Sequence, residues 1–441
     1  IDQGEGEPVD QEELAMSLGA PEEEEEIPMM ESIDLDELLE ACGDVPEREP
    51  SIYVKLQEET IEIPDVEEMD ASDMPDMPEI EDIDMDTMME MVREALTVDV
   101  SEADRAEDWA GEPEAEQKYE DDMYAAKDSD SKENNEALLR DNPDWDMSRI
   151  VEKTGIFTRS ISAPLQTALD LGVMAGNKLL ETISHKEDID LLILVTQSAD
   201  YVLPTSACIL QNKLGLSKEC MAFDINLGCS GFIYALSVAS SLIETGVATK
   251  GMIVCADTYT KYIDKSDRTC RPIFSDGASA TLITRSDSDD TGPFIFGTDG
   301  SGYESLIVRE GGAREPNVNV SSPLGSLEMN GIDVFLFTLN TVPSCVNTLL
   351  DRSNIKIEDI DLFIFHQASK LVFENLIRNL SLDSDKVFMN LQNVGNTVSA
   401  SIPIALKDAD SQGRLKNGDT IMLVGFGVGL SWGGTVVTWN N

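Results

Sequence analysis

The chain repeats itself, and a repeat of this kind admits few folds. Leu180-Glu-Thr-Ile-Ser-His-Lys-Glu-Asp-Ile-Asp-Leu-Leu-Ile-Leu-Val195 is matched by Leu350-Asp-Arg-Ser-Asn-Ile-Lys-Ile-Glu-Asp-Ile-Asp-Leu-Phe-Ile-Phe365. Each copy reads as the end of a helix, a short loop and a near-continuous apolar strand. Strands of that composition are buried on both faces, as in parallel sheets covered by helices. The likeness continues downstream. A helix from Gly231 precedes an apolar strand at Gly251–Ala256, and a helix over Ser399–Ala409 precedes another at Thr420–Gly425. The expected architecture is therefore α/β and duplicated, with one half at 131–290, the other at 291–441, and Ser286–Gly292 as the link between them.

Charge sets this pair of halves apart from what precedes it. The first 130 residues hold 48 acidic and 6 basic side chains, whereas the rest of the chain holds 38 and 25. So acidic a segment, poor in aromatics, cannot bury enough apolar surface to offset the entropy of ordering, and 1–130 reads as a mostly disordered extension. Two stretches in it carry some pattern: Ser51–Ile63 alternates like strand, and Asp86–Leu96 has helical spacing. Neither part of the chain has the basic stripe of a nucleic-acid binder. No run of about 18 apolar residues suggests a membrane span. The seven cysteines contain no C-x-x-C pair, so neither a disulfide framework nor a metal site is expected, and a reducing cytoplasm fits.

The duplication directs attention to the residues just after each apolar strand. In the first half, Asp224-Ile-Asn-Leu-Gly-Cys-Ser-Gly-Phe232 puts Cys229 at a helix N-terminus. Free N–H groups there, with the helix dipole, favour a thiolate nucleophile. A buried structural cysteine is the commoner case. In the second half the strand ends in His366-Gln-Ala-Ser369, and Asn393-Val-Gly-Asn-Thr397 precedes the matching helix. If the halves pack as a pseudo-two-fold pair, Cys229, His366 and Asn396 meet at one interface. An imidazole N–H and a carboxamide N–H both donate to a carbonyl oxygen, which suits stabilisation of an enolate. The other histidine, His185, lies in a polar loop. Gly425-Phe-Gly-Val-Gly-Leu-Ser-Trp-Gly433 offers backbone N–H groups suited to an oxyanion, and it lacks the setting of a dinucleotide fingerprint.

These segments, with Asn142–Trp145, Glu152–Ile156, Leu203–Cys208, Asp267-Arg268, Phe274–Ala278, Met329–Gly331 and Val334-Phe335, resemble the β-ketoacyl-acyl carrier protein synthase III family of the thiolase-like superfamily. The resemblance covers residues from about 131 to 441. It implies a thiolase-like duplicated α-β-α-β-α layered fold and a cytoplasmic homodimer that needs no cofactor. It further implies that Cys229 takes an acyl group from acyl-CoA or acyl carrier protein. His366 and Asn396 then stabilise the enolate formed when malonyl-acyl carrier protein loses carbon dioxide, and this carbanion condenses with the acyl-cysteine. By the same resemblance the oxyanion donors are the N–H groups of Cys229 and Val428. Phe274, Phe335 and, across the dimer, Leu203 line the acyl pocket, and Lys153 and Arg268 meet CoA phosphates.

Some residues depart from the family pattern. Arg149 stands where the initiating enzymes often carry a Trp that stacks on adenine, which favours a carrier-borne donor. Arg271 and Pro272 replace common aliphatics at the pocket. The apolar strand that usually opens the family is not visible before Asn134. By resemblance that strand is interior to the first sheet, and Ile52–Leu56 is a candidate replacement. Glu31-Ser-Ile-Asp34 faintly resembles a phosphopantetheine site, though a chance match is preferred. Two competing functions fit parts of the sequence: acyl transfer to an alcohol or amine on the same fold, and a non-catalytic scaffold working through its acidic extension.

Overall fold

The computed structural model describes residues 132–286, 291–316 and 324–440. The readings made on Ser32, Ile52–Leu56, Ser51–Ile63 and Asp86–Leu96 fall outside them. The first half contains β1 (Lys132–Asn134), α1 (Asn135–Asp141), α2 (Met147–Thr154), β2 (Thr158–Ser160), α3 (Ala168–Leu180), β3 (Leu191–Val195), α4 (Ser206–Leu214), β4 (Met221–Ile225), α5 (Gly231–Glu244), β5 (Lys250–Asp257) and β6 (Gly277–Thr284). The second contains β7 (Thr291–Thr298), β8 (Leu306–Val308), β9 (Leu327–Met329), α6 (Gly331–Ser353), β10 (Leu362–Phe365), α7 (Lys370–Leu380), α8 (Leu391–Val394), α9 (Ser401–Ser411), β11 (Thr420–Gly427) and β12 (Ser431–Thr438).

Two four-stranded sheets carry the fold, in the orders β4-β3-β5-β6 and β10-β11-β12-β7. The apolar runs recognised in the sequence become β3 and β10. Each is parallel to the strand after the next helix, β5 or β11, and that strand is antiparallel to its hairpin partner, β6 or β12. β3 is inaccessible along its whole length, as its unbroken hydrophobicity requires. Its two faces serve different cores. Leu191, Ile193 and Val195 join α5 and α9 between the sheets, while Leu192 and Leu194 pack against α3 and α4. On the far side of the second sheet, α6 and α7 close a third core around Phe363, Phe365 and Met422. The layers thus run helix, sheet, helix pair, sheet, helix.

Local chemistry sets the helix ends. Thr167 and Asp170 form a reciprocal capping box at the start of α3, and Ser369 caps α7. Pro403 lies in the first turn of α9, where a missing N–H costs little. α6, Gly331–Ser353, is the one described helix long and apolar enough to cross a membrane. Here its face of Val342, Val346 and Leu349 is fully inaccessible in the outer core.

The position expected for an opening strand needs correction. The first sheet has no interior gap, since β3 hydrogen-bonds β4 on one side and β5 on the other, and β5 bonds β6. In the second sheet the strand that opens the half, β7, lies at the edge beside β12. By the duplication, an opening strand of the first half belongs beside β6, at an edge.

Candidate active site

Cys229 ends the loop between β4 and α5 and is 4% exposed. The helix begins two residues later, with Gly231 N–H donating to the Gly228 carbonyl at 2.8 Å. Here glycine is required by close approach. A Cβ at Gly427, the end of β11, would lie 2.9 Å from the Cys229 sulfur, and one at Gly228 would lie 2.8 Å from Val428 Cγ1. The halves touch through these positions. Backbone hydrogen bonds from Val428 and from Cys229 itself reach the sulfur and favour its ionised form.

Burial outweighs them. It pushes the Cys229 thiol up to about 12, with the Asp257 carboxylate adding to the rise. The thiolate expected from the helix N-terminus is therefore not the resting form. Desolvation of a charge in a closed, largely apolar site exceeds what a helix end supplies. Cys229 belongs to one buried cluster with Tyr259, Cys270, Phe274, Leu306, Leu327 and Val398.

His366 follows β10, and its N–H donates to the Val424 carbonyl at 2.9 Å. Its ring stands edge-on to Phe426, 5.5 Å between centroids, and Phe426 immediately precedes Gly427. His366 Nδ1 is 2.6 Å from Ser401 Oγ, and Nε2 is 3.3 Å from Asn396 Nδ2. A serine hydroxyl donates or accepts, so Ser401 supports either imidazole tautomer. Burial pulls the imidazole down to about 3, leaving it neutral.

Asn396 is fixed by both halves. Its N–H donates to the Ile273 carbonyl at 3.0 Å, and its carbonyl accepts from Ser275 N–H at 2.9 Å. Its Oδ1 accepts from Val398 N–H at 2.9 Å, so the NH2 end of the carboxamide is the one that faces His366. That geometry depends on Val398 at φ 55, an uncommon conformation for a β-branched residue. A neighbouring clamp holds it. Asp257, at the end of β5, accepts from Gln197 N–H at 2.8 Å and Ser198 Oγ at 3.4 Å on the first half. It also accepts from Ser399 N–H at 3.2 Å and Ser399 Oγ at 2.5 Å on the second. Burial lifts this carboxyl to about 7 against those bonds.

The remaining expected residues divide. Phe274 lies in the cluster around Cys229. Phe335 does not: it packs in the outer core with Leu339 and Phe365, and its neighbour Val334 is the one that reaches the Cys229 cluster. Register on α6 decides this, because adjacent helical residues point about 100° apart. Leu203 is 79% exposed, in a loop with Tyr201 and Val202 at 60% and 95%. Arg268 is exposed, and Lys153 is half-buried at the end of α2. Arg271 turns away from the pocket to donate to Glu133 Oε1 at 2.5 Å and Asp141 Oδ2 at 2.8 Å.

Sequence reading missed Asp257, Ser399 and Ser401, which are ordinary residues in strand ends and helix starts. It also missed Tyr259, whose hydroxyl donates to Gln197 Oε1 at 2.5 Å. Only the duplication, which brings both strand ends to one seam, carried a signal for Asp257. Among the described residues no cluster of side chains suited to a metal ion occurs.

A buried thiol flanked by two backbone N–H groups, with a carboxamide and a neutral imidazole on the facing half, can stabilise negative charge at a thioester oxygen. Comparison with known proteins agrees with that chemistry. Residues 223–300 match the family model described as 3-oxoacyl-[acyl-carrier-protein] synthase III, and residues 350–439 match its C-terminal counterpart. The chain is 39% identical to a β-ketoacyl-[acyl-carrier-protein] synthase III of Clostridium perfringens over 325 residues, 71% of this chain and 96% of that protein. The corresponding enzyme of Caldanaerobacter subterraneus is 37% identical over 310 residues, 69% and 92%. A solved 3-oxoacyl-(acyl-carrier-protein) synthase III superposes with a TM-score of 0.67 at 40% identity, covering 70% of this chain and 96% of that one. The chain belongs to the 3-oxoacyl-acyl carrier protein synthase III family.

Proposed function

We propose that the protein catalyses decarboxylative Claisen condensation of an acyl group with malonyl-acyl carrier protein. The observation that carries this reading is the carboxamide of Asn396 beside the Nε2 of His366, on segments whose near neighbours Val398 and Gly427 pack against the Cys229 loop. Acyl transfer to an alcohol or amine needs a nucleophile and an oxyanion hole, but no pair of donors for an enolate.

The steps derive from the groups present. Cys229 Sγ attacks the carbonyl of an acyl thioester, its proton leaves with the departing CoA or carrier sulfur, and the N–H groups of Cys229 and Val428 hold the oxyanion. Malonyl-acyl carrier protein then places its thioester oxygen against Asn396 Nδ2 and His366 Nε2–H. The bond to the carboxylate breaks, carbon dioxide departs, and the electron pair rests on the enolate. The enolate carbon attacks the acyl carbon, the carbon–sulfur bond to Cys229 breaks, and the departing thiolate takes a proton from water. A neutral His366 suits this role in the tautomer in which Ser401 Oγ donates to Nδ1 and Nε2 carries the proton. No cofactor enters.

Phe274 supplies one wall for the acyl chain. Lys153 and Arg268 are the cations for a CoA or phosphopantetheine phosphate at the entrance. We assign Tyr201, Val202 and Leu203 to the contact with a second copy of the chain. Intact mass after incubation with an acyl thioester tests the assignment, with Cys229→Ala as the control. The His366→Ala and Asn396→Ala variants should still form the acyl adduct while condensation falls at least 100-fold, roughly the scale of one lost oxyanion donor. Normal condensation by both variants would remove His366 and Asn396 from the mechanism. No adduct on the parent protein would favour a scaffold.

A further inference from the structure

Asn396 turns the nitrogen of its carboxamide toward His366, because its Oδ1 is committed to Val398 N–H at 2.9 Å. A carboxamide nitrogen donates and never accepts. At 3.3 Å from His366 Nε2, Asn396 Nδ2 therefore makes a hydrogen bond only where Nε2 is bare. A neutral imidazole then carries its one proton on Nδ1, which lies 2.6 Å from Ser401 Oγ. The opposite tautomer sets two donors, Nε2–H and Nδ2–H, against each other. His366, Asn396 and Ser401 are 2%, 4% and 2% exposed, so a donor left unmet among them is costly.

Ser401, the first residue of α9, can change its role without moving any atom heavier than hydrogen. Among the described residues its Oγ has a single hydrogen-bond partner, His366 Nδ1. The hydroxyl accepts from Nδ1–H or donates to a bare Nδ1, and the contact is a hydrogen bond in both cases. The far side of the ring thus decides between the tautomers. With no substrate, the Nδ1–H form keeps both bonds, to Ser401 and from Asn396, and leaves only the Ser401 proton unmet. The Nε2–H form keeps the Ser401 bond alone. An oxygen that reaches both Nδ2 and Nε2 reverses the order. It accepts from both nitrogens only when Nε2 is protonated, Ser401 then donates to Nδ1, and each group has its partner. The unmet Ser401 proton narrows the gap in the resting site, so the reversal asks little of the substrate.

We propose that Ser401 is a positioning residue for the condensation described above and that it works by reversing its hydroxyl. It accepts from Nδ1–H in the resting enzyme and donates to Nδ1 when a malonyl thioester oxygen reaches Asn396 and His366. One proton leaves Nδ1 and one arrives at Nε2, with water as the carrier, and the ring is neutral before and after. Formation of the acyl-cysteine uses neither ring nitrogen, so only the second half of the reaction depends on the reversal. The identity of the incoming oxygen rests on the condensation reading, whereas the resting tautomer does not.

The chain has only two histidines, which makes the tautomer observable. In the full chain with isotope-labelled histidine, magic-angle-spinning nitrogen NMR separates protonated from bare ring nitrogens, and His185→Gln removes the second ring. The resting protein should show His366 protonated at Nδ1. Asn396→Ala, which removes the donor facing Nε2, should move the proton to Nε2. So should a malonyl-pantetheine analogue with an amide in place of the thioester, its labelled carbonyl carbon reporting that it is bound. Ser401→Ala should form acyl-Cys229 at the parent rate while condensation falls about tenfold, the scale of one neutral hydrogen bond. A resting ring protonated at Nε2 would overturn the proposal and leave the condensation reading standing. A ring still protonated at Nδ1 with the analogue bound, or a Ser401→Ala variant that condenses at the parent rate, would overturn it too. The resting spectrum involves no substrate, so failure of the parent to condense would count against the condensation reading and not against the resting tautomer.

Discussion

Cys229 shows how far one residue's chemistry depends on what surrounds it. A helix N-terminus favours a thiolate, yet burial holds this thiol near 12. A folded value above the ordinary one means the ionised fraction grows about tenfold per pH unit until that value is reached. Alkylation of Cys229 by iodoacetamide, followed by peptide mass spectrometry, should therefore speed up continuously from pH 6 to pH 10. A plateau near neutrality would mean that the helix end prevails after all. The same residue marks the boundary of sequence reading. Gly-Cys-Ser-Gly was legible as a nucleophile loop because glycine spacing is written in the chain. Phe274, Tyr259 and Val398, which share a buried cluster with Cys229, come from distant segments and leave no local trace.

Secondary-structure elements were legible where hydrophobicity has a period. β3, β5, β10 and β11 stand out as unbroken apolar runs, and α5 follows from its Gly start and small apolar face. Phe335 was misplaced because its position on α6 depends on helical phase against two neighbouring cores, which one sequence does not state. Helix ends were only partly readable. α7 ends at Ser381 with φ 51, and α6 at Asn354 with the same φ. Glycine adopts that conformation without a Cβ clash. Ser381 is exposed and far in sequence from the reactive groups, so Ser381→Gly should stabilise the protein by about 0.5–1 kcal/mol. A rise of a few degrees in thermal midpoint, with condensation rate unchanged, is the expected result. A lower midpoint would mean that serine makes a cap contact worth more than the strain.

The described part of the chain is two like halves packed together, and among the described residues one exposed loop carries a run of consecutive apolar side chains. Tyr201, Val202 and Leu203 are consecutive and largely exposed. Single exposed apolar residues are ordinary, but a run of three suits the contact with a second copy proposed above. Leu203→Asp should shift the native mass, measured by sedimentation, from dimer toward monomer while leaving the monomer's fold within about 0.5 kcal/mol of the parent. A parent that sediments as a monomer at micromolar concentration would end that assignment.

The Asp257 clamp has a consequence for how this protein loses its structure. One carboxyl group holds the start of α9 to the ends of β3 and β5, so neither half can loosen without releasing the loop that carries Asn396. Turnover then becomes a gauge of cooperativity. In a urea titration, condensation rate, helical circular dichroism and tryptophan fluorescence should fall along one curve with one midpoint. Activity vanishing well before the helices melt would mean that the seam opens first, and that the halves are separable folding units held together only for catalysis.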